Sequence, residues 1–126
     1  MFDLPEIMRL AQGMARHASA RQGVIAENIA HSNTPGFRAR DLPEFGKIYM
    51  QDRKLRATRA GHLDFAPGQM VFRSAPDATV PSVSPNGNTV SLEREMMRAT
   101  RNRQAHDMAL AIYGSARTIM RTSFGK

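Results

Sequence analysis

Ile25-Ala26-Glu27-Asn28-Ile29-Ala30-His31-Ser32-Asn33-Thr34-Pro35-Gly36-Phe37 is the stretch where the chain changes character. Upstream, residues 4–31 hold no proline beyond Pro5 and are rich in Ala, Arg, Gln and Met, which favour helix. Ile7, Ala11, Met14, Ala18, Arg21, Ile25 and Asn28 recur at steps of four and three, which is one helical stripe of period 3.5. Asp3 and Glu6 have the spacing of a capping box, and Pro5 is tolerated in the first turn. Gly13 and Gly23 each weaken such a helix by about 1 kcal/mol relative to Ala. At Thr34 the helix must be over. Pro35 presets φ for the first central position of a tight turn, and Gly36 permits a positive φ at the second.

Beyond the turn, residues 32–88 hold six of the seven prolines and five of the nine glycines. This part reads as an extended arm with at most a small β-hairpin. Gln69 to Arg73 is one candidate strand and Lys47 to Met50 another. Pro76, Pro81 and Pro85 break further order, and Pro85-Asn86-Gly87-Asn88 signals a second turn. Residues 89–126 form the third part, with a helix expected over about 91–124. Glu93 and Glu95 suit its N-terminus, and Arg117 and Arg121 its C-terminus. Leu92, Met96, Ala99, Arg103, His106, Leu110, Tyr113, Arg117, Met120 and Phe124 alternate steps of four and three along it. Met108 to Tyr113 is apolar around the whole circumference, and such a helix needs partners on every side. The fold class expected is therefore mainly α. The N-terminal helix (1–31) and the C-terminal helix (89–126) pair as an antiparallel coiled-coil hairpin around the inserted arm (32–88). The three parts make one structural unit.

The quality of the apolar content limits what this unit can do alone. Of 126 residues, 41% are apolar, but Ala supplies 17 and Met nine. Leu, Ile, Val and Phe together supply 24, or 19%, at the edge of what supports independent folding. Few large side chains mean little burial energy to offset an ordering cost of about 1–2 kcal/mol per residue. Order is expected to come mainly on assembly. The net charge of +7 is concentrated beyond residue 31 and reads as a solvated or partner-paired surface. Nucleic acid is not an expected partner, because no Trp is present and the basic residues are not interleaved with stacking aromatics.

Chemistry is hard to find. There is no cysteine, so thiol and disulfide chemistry are excluded. His17, His31, His62 and His106 have no metal-ligand spacing, and packing or surface roles are expected for His17 and His106. No nucleophile elbow and no Gly-rich phosphate loop occurs. The basic residues of the last helix are not confined to one face, which argues against a membrane-surface helix. No catalytic residue, cofactor or metal is expected. No apolar run approaches a membrane span, and Met1 to Leu10 lacks the pattern of a cleavable signal peptide.

Asn28-Ile29-Ala30 followed by Thr34-Pro35-Gly36-Phe37 resembles the N-terminal signature of the flagellar axial proteins, the rod and hook family. The continuation Arg38-Ala39-Arg40-Asp41-Leu42 and the stretch Asn86-Gly87-Asn88-Thr89-Val90-Ser91-Leu92-Glu93-Arg94-Glu95-Met96 are most similar to the proximal rod members. Asn102 also fits, and the short middle agrees with them. His31-Ser32 and Arg103-Gln104-Ala105-His106 depart from the usual pattern. The resemblance implies a structural subunit of the flagellar basal body that passes unfolded through the flagellar export apparatus, without signal cleavage. It implies helical assembly with copies of itself and other rod proteins, contact with a FliE-like adaptor at the membrane ring and export gate, and transmission of torque. Asn28, Ile29, Ala30 and Thr34 to Phe37 would then be the turn motif of assembly. Ile7, Ala11, Met14, Ala18 and Ile25 of the first stripe and Leu92, Met96, Ala99, Leu110, Tyr113, Met120 and Phe124 of the second would be both helix seam and subunit interface. Two other classes remain in view. A small basic nucleic-acid-binding hairpin would show binding that weakens steeply with salt. A cytoplasmic coiled-coil adaptor would form a discrete stable dimer.

Overall fold

The computed structural model describes residues 3–54 and 70–125. In chain order the elements are α1 (Leu4–Ala30), β1 (Arg40–Asp41), α2 (Phe45–Lys54), β2 (Ala75–Pro76) and α3 (Leu92–Ser123). The two terminal helices pair antiparallel as expected: Asn28 of α1 meets Glu95 of α3, and Ala18 meets Asn102. At 1.5 Å per residue, α3 is about 48 Å long. The strands form one antiparallel bridge, Arg40 opposite Pro76 and Asp41 opposite Ala75.

On α1, Ala11, Ala18, Ile25 and Asn28 are buried, with Ile7, Met14 and Arg21 half-buried between them. The seam of α3 differs from the expected one. Its buried residues are Glu95, Asn102, Ala109 and Ala116, one heptad apart. Ala99, His106, Tyr113 and Met120 line its edge, half-buried. Leu92, Met96, Leu110 and Phe124, expected in the helix–helix seam, instead face outward at 48%, 60%, 51% and 76% exposure. The physical reason is closeness. Small or hydrogen-bonding side chains let two helices approach, and the bulky ones are turned out.

Two other expectations fail. Lys47 to Met50 is helical, inside α2, and Met70 to Ser74 forms no strand (Gln69 lies outside the described residues). Lys47 and Ile48 close the first turn of α2 on the Glu44 carbonyl, so local hydrogen bonding overrides the apparent alternation. Asp3 is the N-cap of α1 but its side chain caps nothing; its carbonyl accepts from the Ile7 amide. A second face of α1 is covered by the arm. Buried His17 lies within hydrogen-bonding distance of the Pro43 carbonyl at 2.7 Å and meets the rings of Phe45 and Phe72 edge-on. Phe45 lies so close to Gly13 that a β-carbon there would sit 3.2 Å from its ring.

Candidate assembly interface

The turn motif lies at the end of the hairpin where α1 stops and α3 begins. Phe37 N–H donates to the Thr34 carbonyl, and Gly36 has φ +73°, which closes a type II turn with Pro35 at its first central position. His31 stacks on Phe37 at 4.6 Å. The turn is clasped by a segment fifty residues further on. Gly36 N–H donates to the Asn86 carbonyl, Thr89 N–H donates to the Phe37 carbonyl, and the Thr89 hydroxyl accepts from the Ala39 amide. Gly87 (φ +84°) lies so near that a β-carbon on it would be 3.4 Å from the Gly36 Cα. Asn88, 2% exposed, ties the clasp together. Its Nδ2 lies 2.9 Å from each of the carbonyls of His31, Ser32 and Thr34, and its Oδ1 accepts from the Val90 amide. The last carbonyls of a helix and its following turn would otherwise be unsatisfied. The two motifs that carry the family resemblance are therefore one structure.

Beside the clasp, Asn28 reads the chain leaving it. Its Nδ2 donates to the Arg40 carbonyl at 2.7 Å and its Oδ1 accepts from the Arg40 amide, so the side chain stands in for a strand partner. The same Nδ2 reaches Glu95 Oε2 at 3.2 Å. Glu95, expected merely to face the helix dipole, is 1% exposed and bonded to Arg98. Arg98 also reaches Asp77 at 2.6 Å and Asp41 at 3.8 Å, while Arg21 holds Asp41 through two bonds. Arg94 bonds the carbonyl and hydroxyl of Thr79. Burial alone would raise the Asp77 carboxyl. Hydrogen bonds from the Thr79 hydroxyl and amide, and the Arg98 guanidinium, outweigh it and hold the group at about 2. Burial also works against the charge on Arg98, but its three carboxylate neighbours win and push its pKa up. Sequence reasoning missed this network. Its signal was charged residues at stripe or near-stripe positions, Arg21, Glu95 and Arg98, in a chain short of large apolar ones.

The proposed site residues thus fall into three groups. Ile7, Ala11, Met14, Ala18, Ile25, Ala99, Tyr113 and Met120 lie in or beside the helix seam. Asn28 and Thr34 to Phe37 meet in and beside the clasp, with Ile29 half-buried and Ala30 exposed at the end of α1. Leu92, Met96, Leu110 and Phe124 stand on an outer face of α3 that no described residue covers, and Met108, Ile112 and Ile119 stand on the opposite flank, 36–54% exposed. Among the described residues no three His, Cys, Asp or Glu side chains form a metal set, and no helix is long and apolar enough to cross a membrane.

The described residues thus form a long helical hairpin closed by an Asn-Ile-Ala and Thr-Pro-Gly-Phe clasp, with large apolar side chains left on the outside of one helix. No family profile matches the chain. Among curated proteins it is similar to the flagellar basal body rod protein FlgB of Salmonella typhimurium, 32% identical across 89% of this chain and 88% of that one. It is also similar to FlgB of Escherichia coli K12, at 30% across 93% and 92%, and of Agrobacterium fabrum, at 28% across 91% and 90%. The chain belongs to the FlgB family of flagellar basal body rod proteins, which makes it a structural component of the rod.

Proposed function

We propose that the chain is a proximal rod subunit that assembles helically with copies of itself and with other rod proteins. In this role it links the membrane ring and export gate to the rest of the rod and transmits torque. It reaches its place in the periplasmic space through the flagellar export apparatus, without signal cleavage, and contacts a FliE-like adaptor there. Heterologous, non-closing contacts are what generate helical filaments.

The observation that carries this reading is the outer face of α3, which no described residue covers, in a chain whose relatives are rod proteins. Of the seven buried apolar residues in the described part, five are Ala, with Ile25 and Leu42 the only large ones. Burial energy scales with apolar area, so this interior holds the free chain weakly and the hairpin, as one unit, becomes firmly ordered on assembly. The clasp sets the direction in which the arm leaves α1, and both helix stripes become subunit contacts.

The test is Leu110→Asp. An aspartate on this face is solvated in the free chain, but in the rod it must stay charged at large cost or take up a proton. Secretion of the variant should match the parent while its incorporation into rods falls severalfold. Equal incorporation would show that this face is not buried in the rod.

A further inference from the structure

The outer stripe of α3 has a chemistry more specific than apolarity. Met96, Arg103, Leu110 and Arg117 follow one another at heptad spacing, with the half-buried edge residues Ala99, His106 and Tyr113 between them. Beside Arg103 a cavity of about 590 Å³ opens between the helices, lined by Ala18, Ser19 and Gln22 of α1 and by Ala99, Arg103 and His106 of α3. Arg103 and Arg117 are exposed, and neither pairs with a carboxylate among the described residues. Arg121 extends the positive charge, and two exposed acids, Glu93 and Asp107, stand one turn from Met96 and from Arg103.

The charges decide the occupant. Two copies of α3 pairing antiparallel about Leu110 would set Arg103 of one against Arg117 of the other, and parallel pairing in register would set each arginine against itself. Like charges face to face repel in either case, so this stripe does not pair with its own counterpart, and whatever surface covers it, in a heterologous contact, must bring carboxylates. We propose that this stripe and the cavity beside it dock an acidic amphipathic helix of a partner protein. Its apolar residues lie on Met96 and Leu110, and its carboxylates, two heptads or about 21 Å apart, meet Arg103 and Arg117. The idea rests on the assembly reading for the existence of a partner, and it adds the partner's chemistry.

The experiment uses the full chain and two fluorescent peptides of about 28 residues, four heptads. Both carry a Leu stripe; one has Glu at two positions a double heptad apart and the other has Lys there. The parent chain should bind the Glu peptide about tenfold more tightly than the Lys peptide, the size expected of two exposed ion pairs. Arg103→Glu combined with Arg117→Glu should reverse the preference, since neither side chain supports the fold. Arg38→Glu combined with Arg73→Glu, exposed elsewhere, should leave it unchanged. A preference that survives the first pair, or disappears equally with the second, would overturn the proposal, because net charge alone would then explain binding. So would a homodimer, seen by sedimentation, that Arg103→Glu with Arg117→Glu abolishes. Rod incorporation of the parent chain is scored separately, so a failure of the assembly reading is distinguishable from a failure here.

Discussion

Where α1 ends and α3 begins, the buried positions between the helices are Ile25, Asn28, Glu95 and Asn102, and each of the three polar ones is hydrogen-bonded across the seam or to the arm. At the far end the buried positions are Ala11, Ala109 and Ala116, with no bond across them and with Met108, Leu110 and Ile119 half or more exposed. Among the described residues no buried polar side-chain atom lacks a partner, so the polar end is fully satisfied. Such a network specifies one register, because any slip leaves buried groups unpaired. An alanine seam specifies little and holds little. The comparison teaches a division of labour: one end of the hairpin fixes its geometry within the chain, and the other leaves its large apolar residues on the surface, where the proposed assembly would use them.

Breaking the polar end should have the largest effects on the free chain. Asn88→Asp is nearly isosteric but sets an acceptor against three carbonyls, at a cost of roughly 2–4 kcal/mol. Urea denaturation should show that loss, and amide exchange should speed up first in residues 28–37. An unchanged midpoint would mean that the clasp does not hold the end.

Acid should act next, and on the same end. Asp77 titrates at about 2 in the fold against an ordinary 3.8. Its contribution is present above pH 4 and is lost as pH falls through 2, a change of about 2 kcal/mol. Asp77→Asn should flatten the pH dependence of stability over that interval, and a variant with the parent's acid profile would contradict this. A smaller effect is expected for Gly36→Val, about 1–2 kcal/mol, because its φ is positive and nothing lies within 4 Å of the new β-carbon to add a clash. Its assembly should suffer more than its stability, since the arm would leave α1 in a new direction. Smallest of all is Ile112→Ser at the far end. It should change the free chain by about 0.5 kcal/mol or less, as exposed positions do, while lowering incorporation into rods.

The sequence shows the two ends unequally. The stripe of α1 is readable because its period is unbroken by proline and its larger members, Ile7, Met14 and Ile25, do turn inward. The turn at Pro35-Gly36 is readable because few residues other than glycine accept a φ of +73°. The α3 seam is not readable, because the 4-3 stripe of large apolar residues points to Leu92, Met96 and Leu110, whereas Glu95, Asn102, Ala109 and Ala116 occupy the interior. Nothing local in the sequence says that Glu95 will find Asn28 and Arg98, or that Asn88 will find the end of α1; those are long-range pairings. The short helix α2 was hidden by the alternating look of Lys47 to Met50.

Hydrogen exchange on the dilute free chain, resolved along both helices, tests the central claim most directly. The division of labour predicts a gradient: slower exchange in residues 19–31 and 92–105, beside the clasp and the ion network, and near-unprotected amides in 4–14 and 108–123. Equal and strong protection in both halves would show that the alanine end is stable without a neighbour, and would contradict the account.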